Sequence, residues 1–310
     1  MSAERGLGGG DLLAKADPGS GARRRLDGAL AVVSFAFAES LRRRVFAVVL
    51  ALTVAFLGLY ALGANFAFRE VERLGIVGEE LVDEWTLVGS TVFGLAIFAT
   101  LFLGAVLAIF LTLGIVRGDA ETGLLQPLVA RPLGRGTMIA ARYAGAAAAA
   151  AGYVAAVYLV ALLITVSLGD WSPDHPILPG LALAGAVAVI AAISVLISVF
   201  LSATAQGVAV FMVFGAGLVA GLLGQIGVAL SSRSLDRIAE VMTLALPFEA
   251  LYQGALYLLT SQTSGLTGEL VRLGPFGGAQ EIGIASIAWA VAYTACVVAL
   301  AVIAFSRRDL

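Results

Sequence analysis

The sequence predicts an all-α protein that crosses a membrane six times. Three observations carry this reading: 60% of the 310 residues are hydrophobic, only 13% are charged, and the charges leave apolar stretches long enough for six crossings. A soluble domain typically has about 45–50% apolar and about 25% charged residues. At a mean hydropathy of +0.99 this chain would expose large apolar patches in water. The 19 cationic and 21 anionic side chains nearly cancel, to a net charge of -2, so their placement matters more than their sum. The single cysteine, Cys296, excludes an internal disulfide, and the single histidine, His175, excludes a His-rich metal site. No basic patch of the kind that binds nucleic acid is present.

A spanning helix needs about 20 mostly apolar residues at a rise of about 1.5 Å each. Stretches free of Asp, Glu, Lys and Arg run over Val45 to Phe68, Trp85 to Val116, Tyr143 to Gly169, Ile177 to Ser232 and Ile282 to Ser306. The fourth is too long for one crossing and divides at the polar step Ser202-Ala203-Thr204-Ala205-Gln206-Gly207. The expected spans are therefore 45–68, 88–116, 143–168, 180–201, 207–230 and 283–305.

Lys and Arg in short loops set the orientation. Arg42, Arg43 and Arg44 precede the first span and place the N-terminus in the cytoplasm. The first loop holds Arg69 and Arg73 against Glu70, Glu72, Glu79, Glu80, Asp83 and Glu84, and belongs outside. Arg117, Arg131, Arg135 and Arg142 put the second loop, 117–142, inside. Asp170 and Asp174 mark the third loop as outer, and Arg307-Arg308 leave the C-terminus in the cytoplasm. Strict alternation across six helices satisfies all of these assignments.

Residues 1–28 are Gly-rich and polar, with Arg23-Arg24-Arg25 but no adjacent apolar run, so the reading is a disordered cytoplasmic tail without a cleavable secretory signal. Leu30 to Leu41, LAVVSFAFAESL, ends on the three arginines Arg42, Arg43 and Arg44. It reads as an elbow helix in the membrane plane, with Phe35, Phe37 and Leu41 inward and the arginines as headgroup anchors. The other reading is an extension of the first span. The outer loop 231–281 is unusually apolar around Leu244 to Tyr252, which points to interfacial or re-entrant helices packed on the bundle.

Enzymatic readings find little support. His175 lies in an Asp-His-Pro loop, no cluster of metal ligands is present, and the charge-free stretches hold no titratable pair for nucleophilic chemistry. Catalytic and metal residues are thus expected to be none. The same lack of intramembrane charge disfavours a transporter driven by an ion gradient. No phosphate-cradling Gly-x-x-x-x-Gly-Lys-Ser/Thr segment exists, Lys15 being the only lysine. Nucleotide-driven work would require another polypeptide. Small residues at Ala144 to Gly152 and Gly217 to Gly221 permit close helix packing or a dimer contact. Asn65, Thr100, Ser194, Ser198, Gln206, Gln225 and Thr294 either line a pathway or bond between helices.

The second cytoplasmic loop, RGDAETGLLQPLVARPLGRGTMIAARY from Arg117 to Tyr143, is the most informative segment. Asp119 can cap a short helix from Ala120, with Glu121 favoured in its first turn by the helix dipole. Pro127 limits that helix and Arg131-Pro132-Leu133-Gly134 breaks the chain. Leu124, Leu125, Leu128 and Val129 need cover, from the underside of the bundle or from a partner.

This loop resembles that of the type-2 ABC exporter permeases, whose pattern is Glu-x-Gly-Thr-Leu-Glu/Gln-x-Leu-Leu-x-x-Pro-x-Ser/Gly-Arg. Glu121, Gly123, Leu125, Gln126, Leu128, Pro132 and Arg135 match; Leu124 stands where Thr is usual and Pro127 where an aliphatic residue is usual. Ala38 to Leu57 is similar to the elbow and first span of the members grouped with copper-enzyme-maturation permeases. The likeness covers nearly the whole chain in layout and about fifty residues in recognisable sequence.

The resemblance implies that Glu121, Thr122, Gly123, Leu124, Leu125 and Gln126 form a coupling helix seated on a separate ABC ATPase subunit. It implies a second permease chain, the same or related, and ATP with Mg held by the partner rather than any cofactor here. The expected protein is the permease subunit of an ATP-driven exporter in a prokaryotic plasma membrane, in contact with lipid and without its own ATPase site. The alternative is a membrane scaffold or maturation factor that docks a partner through the same loop without moving a substrate.

Overall fold

The computed structural model describes residues 44–74, 83–113, 135–263, 265, 267, 268 and 280–307. The elbow stretch 30–41, the tail 1–28 and most of the second loop lie outside these residues. In chain order the helices are α1 (Arg44–Leu74), α2 (Glu84–Thr112), α3 (Arg135–Gly169), α4 (Leu178–Phe200), α5 (Ala203–Leu230), α6 (Arg233–Ala245), α7 (Pro247–Tyr257) and α8 (Ile284–Ser306). No strand occurs among the described residues. Six helices (α1 to α5 and α8) are long and apolar enough to cross a membrane.

Local chemistry sets most of the boundaries. Asp83 caps α2, its carboxylate accepting from the Thr86 amide at 3.2 Å and the Thr86 hydroxyl at 2.5 Å. Pro179 and Pro247 sit in the first turns of α4 and α7, where a missing N–H costs nothing. Asp170 ends α3 in the left-handed region at φ 47°, a conformation the short polar side chain tolerates.

Two helices outrun the charge-free stretches. α1 continues through Arg69, Glu70, Glu72 and Arg73, and α3 begins at Arg135 and so includes Arg142. Backbone hydrogen bonding does not stop at the hydrocarbon edge; long charged side chains at a helix end reach the polar zone while the helix continues. The polar step after Val199 is also narrower than its composition suggests. Only Leu201 and Ser202 leave helical geometry, and Thr204 and Gln206 belong to the first turn of α5.

α4 is the central post of the bundle, packed against α2, α3, α5, α7 and α8. Its buried residues include Leu183, Val187, Ile190, Ser194 and Val195. α1 touches α2 and α3 and leaves Val48, Leu52, Leu59, Leu62 and Phe66 exposed. Such a stripe suits lipid tails, which are as apolar as the side chains facing them.

The two ends of the bundle differ. At one end, here the loop end, α2 finishes and α3 starts, flanking residues 114–134. At the other, aromatic side chains close the packing: the Trp85 indole donates to the Gly169 carbonyl at 2.7 Å and the Tyr158 hydroxyl to the Pro176 carbonyl at 2.9 Å. Gly89 lies so close beneath the Trp171 indole that a Cβ there would overlap the ring.

α6 and α7 make a helical hairpin at this second end. After a turn at Ser231 (φ 51°), α6 runs back along α5, Ala239 lying 3.2 Å from where a Cβ on Gly224 would sit. α7 then returns along α4 and α5. Phe248 stacks on Phe214 with centroids 5.7 Å apart, and Phe214 lies sixteen residues, about 24 Å, before the end of α5. The hairpin therefore penetrates deep alongside the spanning helices.

Candidate functional site

At the loop end, three fully buried polar side chains tie three helices together. The Thr112 and Ser194 hydroxyls are 2.6 Å apart. The Gln206 amide nitrogen donates to the Thr112 carbonyl at 3.0 Å and to the Ser194 carbonyl and hydroxyl at 3.1 Å each. Thr112 is the last residue of α2, so its carbonyl has no partner within its own helix. Gln206, at 0% exposure, provides that partner from α5. Burying an amide in so apolar a setting is costly unless it is bonded in this way.

One residue further along α4, a second clamp holds α3 and α8. Val195 and Val199 pack with Ile139 near the start of α3 and with Ala301 and Phe305 near the end of α8. Val302 lies where a Cβ on Gly136 would fall. The helices on either side of residues 114–134 are thus fixed to consecutive residues of the same post, α2 through Ser194 and α3 through Val195. An open apolar groove of about 650 Å³, lined by Phe110, Leu113, Val208, Phe211 and Met212, lies beside this junction.

The sequence-predicted coupling residues Glu121, Thr122, Gly123, Leu124, Leu125 and Gln126 lie outside the described residues, as do the headgroup anchors Arg42 and Arg43. Arg44 is the first residue of α1. Of the polar residues that sequence left between two roles, Ser194 and Gln206 bond between helices. The Ser198 and Thr294 hydroxyls donate to carbonyls of their own helices, while Thr100 Oγ1 and Gln225 Nε2 are buried with no hydrogen-bond partner among the described residues.

The hairpin end holds a residue that sequence reasoning passed over. Glu249, in the first turn of α7, is only 2% exposed. Its Oε1 accepts from Gln253 Nε2 at 2.9 Å, and its Oε2 has no partner among the described residues. Burial pushes its carboxyl up to about 7, the Gln253 hydrogen bond opposing. Burial and the neighbouring Glu249 charge push the Tyr252 phenol up as well. The carboxyl is seated against Gly221 of α5, where any Cβ would overlap Oε1 and crowd the Gln253 amide.

Beside this pair, a cavity of about 400 Å³ opens between α5, α6 and α7, with Gly221, Gly224, Glu240, Thr243, Gln253 and Gln280 on its wall. Glu249 escaped notice because it lies outside the charge-free stretches, in a segment read as an outer loop. The available signal was its isolation: from Leu244 to Leu259 it is the one charged residue.

The family described as ABC-2 family transporter protein matches residues 30–310. No curated protein matches the chain.

Proposed function

The chain belongs to the ABC-2 transporter permease family, and from that premise we propose that it forms the translocation pathway of an ATP-driven exporter. It is a multi-pass membrane protein and a transport component, and its family implies partnership with an ABC ATPase subunit. In the proposed mechanism the ATPase grips residues 121–126 between α2 and α3, and closure of the ATPase pair pushes on that segment. ATP and Mg are held and turned over by the partner, and two permease chains tilt against each other to change access to the pathway. The membrane is a prokaryotic plasma membrane, with the loop end in the cytoplasm.

The observation that supports this reading best is the shared anchorage at Ser194 and Val195. A push on the segment between α2 and α3 reaches α4 from two sides at once, and α4 touches five other helices. Packed interiors pass such displacements on as rigid-body shifts rather than absorbing them.

The test is co-purification. The full chain is expected to capture its ABC ATPase from detergent extract, and the captured complex to show substrate-stimulated ATP hydrolysis in liposomes. A chain that captures the ATPase yet never responds to any transported compound would fit a docking scaffold instead. A chain that captures none, with residues 117–134 intact, would overturn the proposal.

A further inference from the structure

The hairpin is held to α5 at two notches one helical turn apart. Gly217 receives the ring of Phe248, and Gly221 receives the carboxyl of Glu249 with the amide of Gln253; a Cβ at either glycine would overlap these groups. Residues four apart share one face of a helix, so both notches open toward α7. The first contact is apolar and is backed by the stacking of Phe248 on Phe214. The second depends on the charge of a carboxyl.

Glu249 Oε1 accepts from Gln253 Nε2 at 2.9 Å, while Oε2 is buried with no partner among the described residues. No helix packed on α7 brings a cation to it among those residues. α4 and α5 have no ionisable side chain, α2 has Glu84 alone, in its first turn, and α8 has Tyr293 and Cys296. α6 carries Arg233, Asp236, Arg237 and Glu240. Arg233 and Arg237 are exposed, and the charged residue on the wall of the neighbouring cavity is the acidic Glu240. α7 itself adds the phenols of Tyr252 and Tyr257, and Glu281 precedes α8. A neutral carboxyl suits this notch. A carboxylate does not, because a buried charge is tolerated only when it is paired.

Solvent space lies close. The open cavity of about 400 Å³ between α5, α6 and α7 is bounded by Gly221 and Gln253, the two residues against the carboxyl, yet Glu249 is not on its wall. Enclosed between two helices, the carboxylate can reach that space only if α7 moves off α5.

We propose that Glu249 is a proton-operated latch: protonated, it locks α7 into the notch at Gly221, and once deprotonated it turns toward the cavity and the hairpin moves off α5. The O–H bond breaks, its electron pair stays on the carboxylate, and the proton passes to water. Phe248 in its apolar notch remains as the pivot. As control over one end of a translocation pathway this rests on the transporter reading above; as a conformational switch it does not.

The test is thiol accessibility in the full-length purified chain. Ala220, beside Gly221 and 2% exposed, is replaced by cysteine in a Cys296→Ala background, and its alkylation by N-ethylmaleimide is timed between about pH 5 and 8. Leu244→Cys, at a position 53% exposed, is timed in parallel, and division by its rate removes the thiol's own ionisation. Ala105→Cys, at a 0% exposed position of α2, reports general loosening. The corrected rate at Ala220→Cys is expected to climb by up to about tenfold per pH unit until the pH passes about 7 and then to level off, with no such climb at Ala105→Cys. Glu249→Gln keeps the shape without the titration and is expected to hold the rate at its acid level throughout. Gly221→Ala fills the notch and is expected to give the fast rate already at acid pH. A flat profile at Ala220→Cys, an equal climb at Ala105→Cys, or a climb that survives in Glu249→Gln would overturn the proposal. Should Glu249→Gln not fold, a climb of undiminished size in Gly221→Ala overturns it. No ATPase or substrate takes part, so a negative result leaves ATPase capture untouched and failed capture leaves this profile intact.

Discussion

The hydroxyls of Thr112 and Ser194 meet at 2.6 Å although the residues are 82 positions apart in sequence. The pair sits at the last turn of α2, just before the segment proposed to receive the ATPase, and Gln206 joins both to α5. Gln206→Leu keeps the bulk but strips the Thr112 carbonyl and the Ser194 hydroxyl of a donor. Interhelical hydrogen bonds in membrane proteins average about 0.6 kcal/mol and reach about 1.7, so a loss of about 1–2 kcal/mol is expected. The Tm in detergent should fall by several degrees, and transport per ATP hydrolysed should fall with it. An unchanged Tm would mean that this node contributes nothing to the bundle.

Glu121→Arg reverses charge at the proposed ATPase contact without altering any described helix. Membrane insertion and Tm should stay at the level of the unaltered chain, while ATPase co-purification drops at least tenfold, or about 1.4 kcal/mol. Full recovery of the ATPase with this variant would remove Glu121 from the coupling surface.

Gly89→Val places a branched side chain where the Trp171 ring already is. Overpacking of this kind costs about 1–3 kcal/mol and should move the tryptophan emission as the indole shifts. Gly58→Ala, where a Cβ meets nothing within 4 Å, is the control and should be neutral or stabilising by up to about 1 kcal/mol. Equal effects of the two would contradict the close approach at Gly89.

The raised Glu249 carboxyl links stability to pH. Its folded value of about 7 lies above the ordinary 4.5, so the folded state holds the proton more tightly. Stability is then greatest below about pH 4.5, declines as the pH rises toward 7, and levels off above it. The fall amounts to about 3 kcal/mol at most, at about 1.4 kcal/mol per pH unit. Thermal melts between pH 5 and 8 should show a declining Tm, and Glu249→Gln should flatten that slope. A slope that survives in Glu249→Gln would assign the dependence to another group.

The expectation of six apolar helices needed nothing beyond the chain itself, and the structure shows six helices able to cross. Each crossing is a property of one contiguous segment, since lipid demands that every backbone polar group be satisfied within the helix. The ends were less legible. Charge alone assigns Arg69 to Arg73 and Arg142 to loops, yet they are helical because backbone bonding continues past the apolar run. Gln206 looked like part of a turn, and only its partners on α2 and α4 reveal a cross-link between helices.

The chain alone thus determined an all-α protein with six membrane-crossing helices, because hydrocarbon selects its spans one segment at a time. The tertiary structure decided what a carboxylate in the segment before the last span would become. The hairpin of α6 and α7 carries Glu249 inward to a notch made by Gly221, 28 positions earlier in the sequence, and buries it there at 2% exposure. Depth and partnership of that kind arise only from packing between distant segments, and no local pattern of residues encodes them.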